Sequence, residues 1–526
     1  MSEQTAAAPR PRAKAVRLVA LGWGVIALLA LAALADGPGI SRQEAASLAL
    51  APAAPSSARS PLPALLPRAA EALALRARPD FPPLAGYRLG SVLSSALLAA
   101  LVALLAGDLA GPLAAGLAPA LLLCAPRLLL PLLQAGPRAP GAAALLVTLL
   151  AYRRATRERR PRTRAMAAAL CGVSFGLGLA FELEAIQFLA VAALHAVLAP
   201  LLRALGPPPL SQEPRHLSRP ALAALASMAV LGPAVALAAW PSLRTDTLHR
   251  LGQAIAALPG DLPLVHMGRL LEGARPPLGY PVAVTALALP AALAAAMVGG
   301  FLHGLGRLVR APDGAVPADD LLLVAAAAMP FVAVQLGLWE RGAGPGPWLP
   351  AFPVLASLAA RTLVACGRAV LPSHAGLVTA CLGVVTLAPS VAATAHVFPE
   401  LSASWGELAG GAPGAASLGL ARDEGEPAAE LLRQVTARAR PGARIHWGSV
   451  PPASLAVYAA DGRLRPDLRI APSPGEADLA VVPLADGSRQ PEYQVWAALS
   501  TSVPVAGAFL DEVPLAWVYA RPGAWR

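Results

Sequence analysis

The chain has 526 residues, of which 56% are hydrophobic and only 14% carry a charge. Aromatic residues make up just 5%, so alanine and leucine supply most of the apolar mass, as in helices that cross a lipid bilayer. The formal net charge is +11, but no base-reading motif or basic patch interleaved with aromatic residues occurs, which argues against a nucleic-acid partner. This composition excludes an ordinary soluble domain and predicts an integral membrane protein.

The chain begins with a polar, basic segment, 1–17, which we assign to the cytoplasm, followed by the uninterrupted apolar run Leu18–Ala35. The triplet Ala33-Leu34-Ala35 resembles a signal-peptidase site, so a cleaved signal peptide is one interpretation. An uncleaved first helix is the interpretation we favour, because the run exceeds the roughly 7–15 apolar residues of a signal peptide and many further spans follow.

Ten more apolar segments bring the expected number of transmembrane helices to about eleven, several of them short or interrupted by proline. These segments are Leu89–Ala106, Pro112–Ala125, Gly141–Tyr152, Ala165–Phe181, Ala185–Leu202, Ala221–Trp240, Pro281–His303, Leu321–Leu338, Trp348–Cys366 and Ala375–Ala395. The predicted fold class is therefore mostly α, with a polytopic membrane domain over residues 18–395.

The distribution of arginine predicts the orientation of these helices. With a cytoplasmic amino terminus, the arginine-rich segments 153–164, 203–219 and 361–374 also become cytoplasmic, as the positive-inside rule requires, while 306–320 is mixed in charge. The remaining connections then lie outside the cytoplasm. These outer loops are 36–88, 126–140, 182–184, 241–280, 340–347 and everything after residue 395.

The part of the chain after the last apolar segment has a different character. A linker over 396–426 leads into residues 427–526, where helical stretches alternate with short apolar strands such as A-D-L-A-V-V-P-L and L-A-W-V-Y-A. This alternation predicts a small extracytoplasmic α/β domain. It contains no cysteine, so neither a disulfide framework nor a cysteine-ligated zinc site is available there.

Several motifs occur in a characteristic order along the chain. They are P-G-I-S-R-Q-E-A at 38–45, F-P-P-L-A at 81–85, G-L-G-L-A-F-E-L-E-A at 176–185, P-P-L-G-Y-P at 276–281 and W-L-P-A-F-P at 348–353. Read together, these motifs resemble the bacterial branch of glycosyltransferase family 39, which is related to protein O-mannosyltransferases and lipid A aminoarabinose transferases. The order of the motifs, rather than any one of them, carries the resemblance.

The resemblance implies a multi-pass protein of the bacterial inner (plasma) membrane that takes a sugar from a polyprenyl-phosphate donor. The acceptor would be an extracytoplasmic lipid, glycan or protein. In such enzymes an acidic residue of the first outer loop acts as base toward the acceptor hydroxyl or helps to hold a metal ion, and basic groups neutralise the lipid phosphate as it leaves. The residues themselves show no phosphate-binding glycine loop or dinucleotide fingerprint, which suits a lipid-borne donor.

The chain departs from the motifs where chemistry is expected. The Asp-Glu pair of the resembled motif is Gln43-Glu44 here, and since an amide has no useful basicity, only Glu44 could act as catalytic base. Alternatively, Glu44 is simply a carboxylate in the first turn of a short helix, stabilised by the helix dipole. Phe81 replaces a histidine and Glu182 replaces a lysine, a pattern that also fits a catalytically impaired paralogue acting as a scaffold or lipid-binding subunit.

The remaining candidate residues divide into phosphate ligands and acidic contacts. Arg88 could bind the donor phosphate or only extend to lipid head groups, and Arg269 and Arg275 are further phosphate candidates. Three acids are candidate contacts to acceptor or donor, or else solvated residues of outer loops: Asp36, Glu182 and Glu184. The eight histidines have no ligand-like spacing, so no cofactor is evident, and a divalent metal ion stays an open alternative that no motif supports.

Overall fold

The structure is a computed structural model, and it describes most of the chain. The described residues are 10–40, 44, 60–205, 219–256, 258, 264–271, 275–309, 318–342, 344–420, 429–448, 452–484 and 490–526. Arg42 and Gln43 of the first motif, and residues 421–426 of the predicted linker, lie outside them.

Helices dominate the first 397 residues, as expected from the apolar segments. In chain order they are α1 (Arg10–Leu34), α2 (Leu62–Ala77), α3 (Pro83–Ala110), α4 (Pro112–Leu123), α5 (Pro126–Leu133), α6 (Arg138–Arg157), α7 (Pro161–Phe181), α8 (Gln187–Leu205), α9 (Arg219–Ala239), α10 (Thr247–Ala256), α11 (Tyr280–Ala288), α12 (Ala291–Val309), α13 (Ala318–Gln335), α14 (Ala351–Val370) and α15 (Ala375–Val397). A short antiparallel hairpin, β1 (Leu264–His266) and β2 (Arg269–Leu271), lies between α10 and α11.

Within the described residues, nine helical segments are long and apolar enough to cross a membrane, or ten if the bent pair α4 and α5 forms one span. This confirms a polytopic membrane protein. The predicted span Gly141–Tyr152 lies inside α6, while Pro281–His303 is divided into α11 and α12. The division falls at Pro290, because proline disfavours helical backbone in the residue before it, and Leu289 is extended there.

Glycines allow several helices to approach closely. A Cβ atom built on Gly300 of α12 would lie 2.5 Å from the backbone nitrogen of Ala359 in α14, and one on Gly176 of α7 would lie 2.5 Å from the carbonyl oxygen of Gly232 in α9. Small residues are favoured where membrane helices pack, because dispersion contacts between close backbones drive the association. These glycines therefore set the spacing of two helix pairs.

We expect Gly300→Ala to destabilise the protein by about 1–3 kcal/mol, the usual effect of overpacking a close contact. The clash is with backbone atoms of Ala359, so α12 and α14 must move apart. Gly299→Ala is the matched control, because a Cβ atom there has no neighbour within 4 Å. Thermal unfolding in detergent measures both variants, and equal stability for the two would contradict the packing argument.

Ion pairs join the helix ends at one side of the bundle. Asp320 accepts hydrogen bonds from Arg361 and, at 2.7 Å, from Arg307, while Asp319 pairs with Arg153 at 3.1 Å and with Arg157. They connect α6, α12, α13 and α14 at the ends predicted to be cytoplasmic. Arginines that predicted the orientation therefore also join helices of the bundle, in pairs that offset the cost of removing a charge from water.

The carboxyl-terminal part folds around a five-stranded mixed sheet, which we call the tail domain (429–526). Its elements are α17 (Ala429–Arg438), β3 (Arg444–Trp447), α18 (Pro452–Ala460), β4 (Arg469–Ile470), β5 (Leu479–Pro483), α19 (Gln490–Leu499), β6 (Ala506–Leu510) and β7 (Val513–Ala520), preceded by the short helix α16 (Gly411–Ser417). The strand order is β4-β3-β5-β7-β6, with β3 parallel to both its neighbours and β7 antiparallel to β5 and β6.

The core of the tail domain extends into the membrane domain. Ile40, after α1, and Leu84, at the start of α3, are buried in the same apolar cluster as Tyr458 and Leu479 of the tail. The tail domain therefore sits at the end of the bundle where α1 stops and α3 begins. We call this end the tail side; it is the end that the sequence predicts to face away from the cytoplasm.

Candidate active site

Arg88 organises the connection between α1 and α3. It lies in the first turns of α3 and is fully buried, with 0% of its surface exposed. Its guanidinium donates to both oxygens of Glu44, at 2.8 and 2.6 Å, and to the carbonyl oxygens of Ala35, Pro38 and Gly39 at 2.7–2.8 Å. All five N–H bonds of the guanidinium are used in this way, which fixes the first residues of the outer loop.

Glu44 is as deeply buried as its partner. Its Oε1 atom also accepts a hydrogen bond of 2.9 Å from the backbone nitrogen of Ala135, so both carboxylate oxygens have partners. The structure thus brings the predicted base and the predicted phosphate ligand together, but as a buried ion pair. A catalytic role for Glu44 stays a prediction, and it would require the carboxylate to exchange Arg88 for an acceptor hydroxyl.

Residues of the tail domain also bind the first residues of the outer loop after α1. Arg463 donates to the carboxylate and the carbonyl oxygen of Asp36, and to Asp461 at 2.7 Å. The hydroxyl of Tyr458 accepts a hydrogen bond of 2.6 Å from the backbone nitrogen of Ile40. Asp36, predicted as a substrate contact, is therefore engaged with the tail domain in this structure.

A second group of charged residues lies at the tail side, and we call it the carboxylate cluster: Glu182, Glu184, Glu340 and Arg138. Glu182 occupies the extended residue that ends α7, directly before a short 3₁₀ turn that contains Glu184. Arg138 begins α6 and faces Glu340 at 3.6 Å. Three separate connections of the chain thus bring three acids and one base together.

Glu182 is half-buried and packs against the start of α6, where its Oε2 atom lies 3.0 Å from the position that a Cβ atom would take on Gly141. Burial raises the pKa of Glu182 to about 7, the charge of Arg138 lowers it, and the negative charge of Glu340 raises it further. A carboxyl group with a pKa near neutrality exchanges a proton readily at physiological pH. A half-buried carboxyl group of this kind is a candidate general base.

Arg269 and Arg275 lie apart from Glu44 and Arg88. Both are exposed, Arg269 at the first residue of β2 and Arg275 just before the P-P-L-G-Y-P motif. The hairpin turn is joined to the entry of the tail by a hydrogen bond of 2.9 Å from the backbone nitrogen of Gly268 to the carbonyl oxygen of Gly419. The two arginines are thus available at the surface of the tail side, and their role as phosphate ligands stays a prediction.

The sequence reasoning missed Arg341, in the loop between α13 and α14. Its side chain is only 8% exposed, and its Nε and Nη1 atoms have no hydrogen-bond partner among the described residues. The signal was present in the sequence, because E-R-G-A-G-P-G-P contains the only arginine of the predicted outer loop 340–347. Nothing in the sequence, however, indicated that this arginine points inward.

The described residues offer no obvious place for a metal ion. Within the ranges given above, no three side chains among the histidines, cysteines and acids are arranged to hold one. The arrangement at the tail side is instead one of carboxylates and guanidinium groups. These can remove a proton from a hydroxyl group and neutralise an anionic leaving group.

Comparison with solved structures identifies the fold. The apo structure of ArnT from Cupriavidus metallidurans matches with a TM-score of 0.50 and 13% identity, covering 95% of this chain and 97% of that one. ArnT bound to undecaprenyl phosphate gives a TM-score of 0.47 and 14% identity at the same coverage. The oligosaccharyltransferase AglB from Archaeoglobus fulgidus, in complex with an inhibitory peptide and a dolichol-phosphate, gives 0.43 and 12% over 71% of this chain and 55% of that one.

Sequence comparison adds nothing to this result, because no family model and no curated protein sequence matches the chain. The similarity is one of architecture, and it extends from the first helix into the tail domain. It confirms the fold that the ordered motifs predicted. The chain therefore has the fold of an integral membrane glycosyltransferase of the ArnT type.

Proposed function

We propose that this protein transfers a sugar from a polyprenyl-phosphate donor to an acceptor at the tail side of the membrane. The ordered motifs and the ArnT-like fold support this class of reaction. The observation that carries the proposal is the carboxylate cluster, where a half-buried Glu182 with a pKa near 7 faces Arg138 at the end of a membrane helix. The acceptor would be a lipid, glycan or protein outside the cytoplasm.

In the proposed reaction Glu182 removes the proton from the acceptor hydroxyl. The acceptor oxygen then forms a bond to the anomeric carbon of the sugar, while the bond from that carbon to the phosphate oxygen breaks. The bonding electrons leave with the polyprenyl phosphate, and direct displacement inverts the anomeric centre. The charges of Arg138 and Glu340 act on the proton affinity of this base, and Glu184 lies in the adjoining 3₁₀ turn.

Arginines would stabilise the departing phosphate, whose negative charge increases as the bond breaks. Arg269 and Arg275 are exposed beside the hairpin and could approach a phosphate at the membrane surface. Arg88 has a different part in this proposal. Since all its N–H groups hold Glu44 and the loop carbonyls, it maintains the shape of the first outer loop.

One observation favours a second candidate function, that of a non-catalytic relative which binds lipid or acts as a scaffold. Glu44 is the remaining acid of the first-loop motif, and both its oxygens are occupied by Arg88 and Ala135. A buried carboxylate that is fully hydrogen-bonded makes a poor base, because its lone pairs are already shared. If Glu182 does not act as the base in place of Glu44, the protein keeps the glycosyltransferase fold but transfers no sugar.

Transfer of labelled sugar from polyprenyl-phosphate donors distinguishes the two candidates. Membranes that contain the protein are compared with empty membranes, across several donor sugars and with endogenous lipid and added protein as acceptors. Label that becomes linked to an acceptor only when the protein is present supports the transferase. The absence of transfer with every donor, at an expression level verified by immunoblot, favours the non-catalytic relative.

A further inference from the structure

Arg341 differs from Arg88 and Arg138, two other arginines of the tail side with little exposed surface. Arg88 binds Glu44, and Arg138 faces Glu340 at 3.6 Å. Arg341 takes part in no ion pair or hydrogen bond to the described residues, although only 8% of it is exposed. Its neighbour Glu340 is paired with Arg138 instead, so the acid closest in sequence does not neutralise it.

An arginine in this state is unfavourable for the folded protein. The guanidinium group keeps its charge in proteins, and burial of a charge without a partner costs free energy. Buried polar groups without partners are rare, so each one calls for a physical reason. An anionic ligand that enters the site would provide the missing acceptor and recover this free energy.

A second donor without a partner lies in the same segment. Within the part of the chain that the structure describes, the indole nitrogen of Trp339 has no hydrogen-bond acceptor, and this side chain is 7% exposed. The two residues are separated by one position in the loop that leaves α13. Together they offer N–H groups and one positive charge, and among the described residues nothing accepts from the Nε and Nη1 atoms of Arg341 or from the indole.

The loop is held in place by the motif P-P-L-G-Y-P. The Tyr280 hydroxyl donates a hydrogen bond of 2.6 Å to the carbonyl oxygen of Gly342, and the side-chain oxygen of Gln335 accepts one of 2.8 Å from the backbone nitrogen of Gly279. Leu278, in the same motif, is 96% exposed at the tail side. The unpaired donors thus sit on a fixed loop beside a surface where apolar side chains face outward.

We propose that Arg341, with the indole nitrogen of Trp339, forms a binding site for a phosphate group. A guanidinium group suits this ligand because its parallel N–H bonds match two phosphate oxygens. The phosphate could belong to a membrane lipid or be free in solution. The assignment to the donor phosphate rests on the proposed function, whereas the binding site itself does not.

Ligand binding to the purified full-length protein in detergent tests the proposal, with undecaprenyl phosphate as the probe. We expect undecaprenyl phosphate to raise the unfolding temperature of the wild type. Arg341→Met should weaken its binding by roughly 10- to 150-fold, the range expected when charge-assisted hydrogen bonds are lost. Arg433→Met is the matched control, because Arg433 is an exposed arginine of the tail domain and pairs with Glu430 on its own helix.

A second measurement separates this proposal from a structural role of Arg341. Without ligand, Arg341→Met should unfold at a higher temperature than the wild type, because the variant removes an unpaired buried charge. A lower unfolding temperature, or undecaprenyl phosphate binding equal to that of the wild type, would overturn the proposal. Arg341→Lys keeps the charge but lacks the parallel N–H donors of a guanidinium group. Its affinity for undecaprenyl phosphate should lie between that of the wild type and that of Arg341→Met.

Two further probes identify the source of the phosphate. Inorganic phosphate is added as a competitor of undecaprenyl phosphate. If it displaces the lipid only at far higher concentration, the site binds a lipid phosphate. If inorganic phosphate and undecaprenyl phosphate bind with comparable affinity, the ligand is a soluble phosphate. Phosphatidylglycerol micelles test for a general anionic head group. If binding requires Arg341 but no sugar is transferred, the phosphate site is supported and the transferase proposal fails. If sugar is transferred and Arg341→Met binds undecaprenyl phosphate normally, the transferase proposal is supported and the phosphate site fails.

Discussion

Glu182→Gln is expected to lower the rate of sugar transfer by about 10²- to 10⁴-fold, the usual contribution of a general base. Glutamine has nearly the same shape as glutamate, so the end of α7 and its contact with α6 should persist. The amide cannot take the proton from the acceptor hydroxyl. Steady-state transfer from a polyprenyl-phosphate donor measures the effect, which should fall on kcat more than on KM.

The pH dependence provides an independent check on the same residue. Because the pKa of Glu182 is raised to about 7, its basic form increases as the pH rises through that value. Wild-type transfer should therefore rise between about pH 6 and 8 and then level off, whereas the residual activity of Glu182→Gln should not follow this rise. Glu158→Gln, at a half-buried acid in the turn between α6 and α7, is the control. A wild-type profile retained in Glu182→Gln would exclude it as the base.

The same shift has a consequence for stability. A carboxyl group whose pKa is raised by folding holds its proton more tightly in the folded state, so its contribution to stability falls as pH rises from 4.5 toward 7. Glu182→Gln should remove this part of the pH dependence. If the free energy of unfolding depends on pH in the same way in Glu182→Gln and in the wild type, the carboxyl group of Glu182 is solvated in the folded state and its pKa is not raised.

Arg88→Met is expected to destabilise the protein by about 3–5 kcal/mol, because it leaves the carboxylate of Glu44 buried without its charge partner. Three backbone carbonyl oxygens of the outer loop lose their donor at the same time. Both partners are 0% exposed, so solvent cannot replace the lost bonds without opening the loop. Reversible unfolding of the purified protein in mixed micelles measures the free energy.

A double-mutant cycle separates the ion pair from the carbonyl contacts. Glu44→Gln alone leaves the guanidinium without a negative partner, while the double variant removes both charges. We expect the double variant to lose less stability than the sum of the single variants, since the unpaired charge is then absent. Arg433→Met, which breaks an exposed pair, should change stability by no more than about 0.5 kcal/mol. Additive effects at positions 44 and 88 would contradict the buried pair.

The fold could be predicted because its signals are local. Apolar runs such as Leu89–Ala106 are long enough to identify membrane helices by themselves, and the alternation after residue 427 indicates an α/β domain. Boundaries were less certain. The run Pro281–His303 contains Pro290, but its division into two helices could not be predicted, since the effect of this proline depends on whether the two helices pack separately or in line.

The candidate site was predicted less well. The motifs identified Glu44, Arg88 and Glu182 as residues of interest, and the structure joins the first two in one ion pair. Their burial could not be predicted, because it depends on Ala135, just after α5, and on the tail domain, which close over the loop from distant parts of the chain. Arg341 was missed for the same reason, since its isolation follows from Glu340 turning toward Arg138.

The amino-acid sequence by itself determined the class of this protein, the approximate positions of its helices and the division into a membrane domain and a tail domain. These follow from hydrophobicity and periodicity, which act between near neighbours in the chain. Only the tertiary structure decided which charges are paired, which are buried and which remain without a partner. The strength of a charge depends on burial and on groups a few ångströms away, and folding brings those groups from segments hundreds of residues apart.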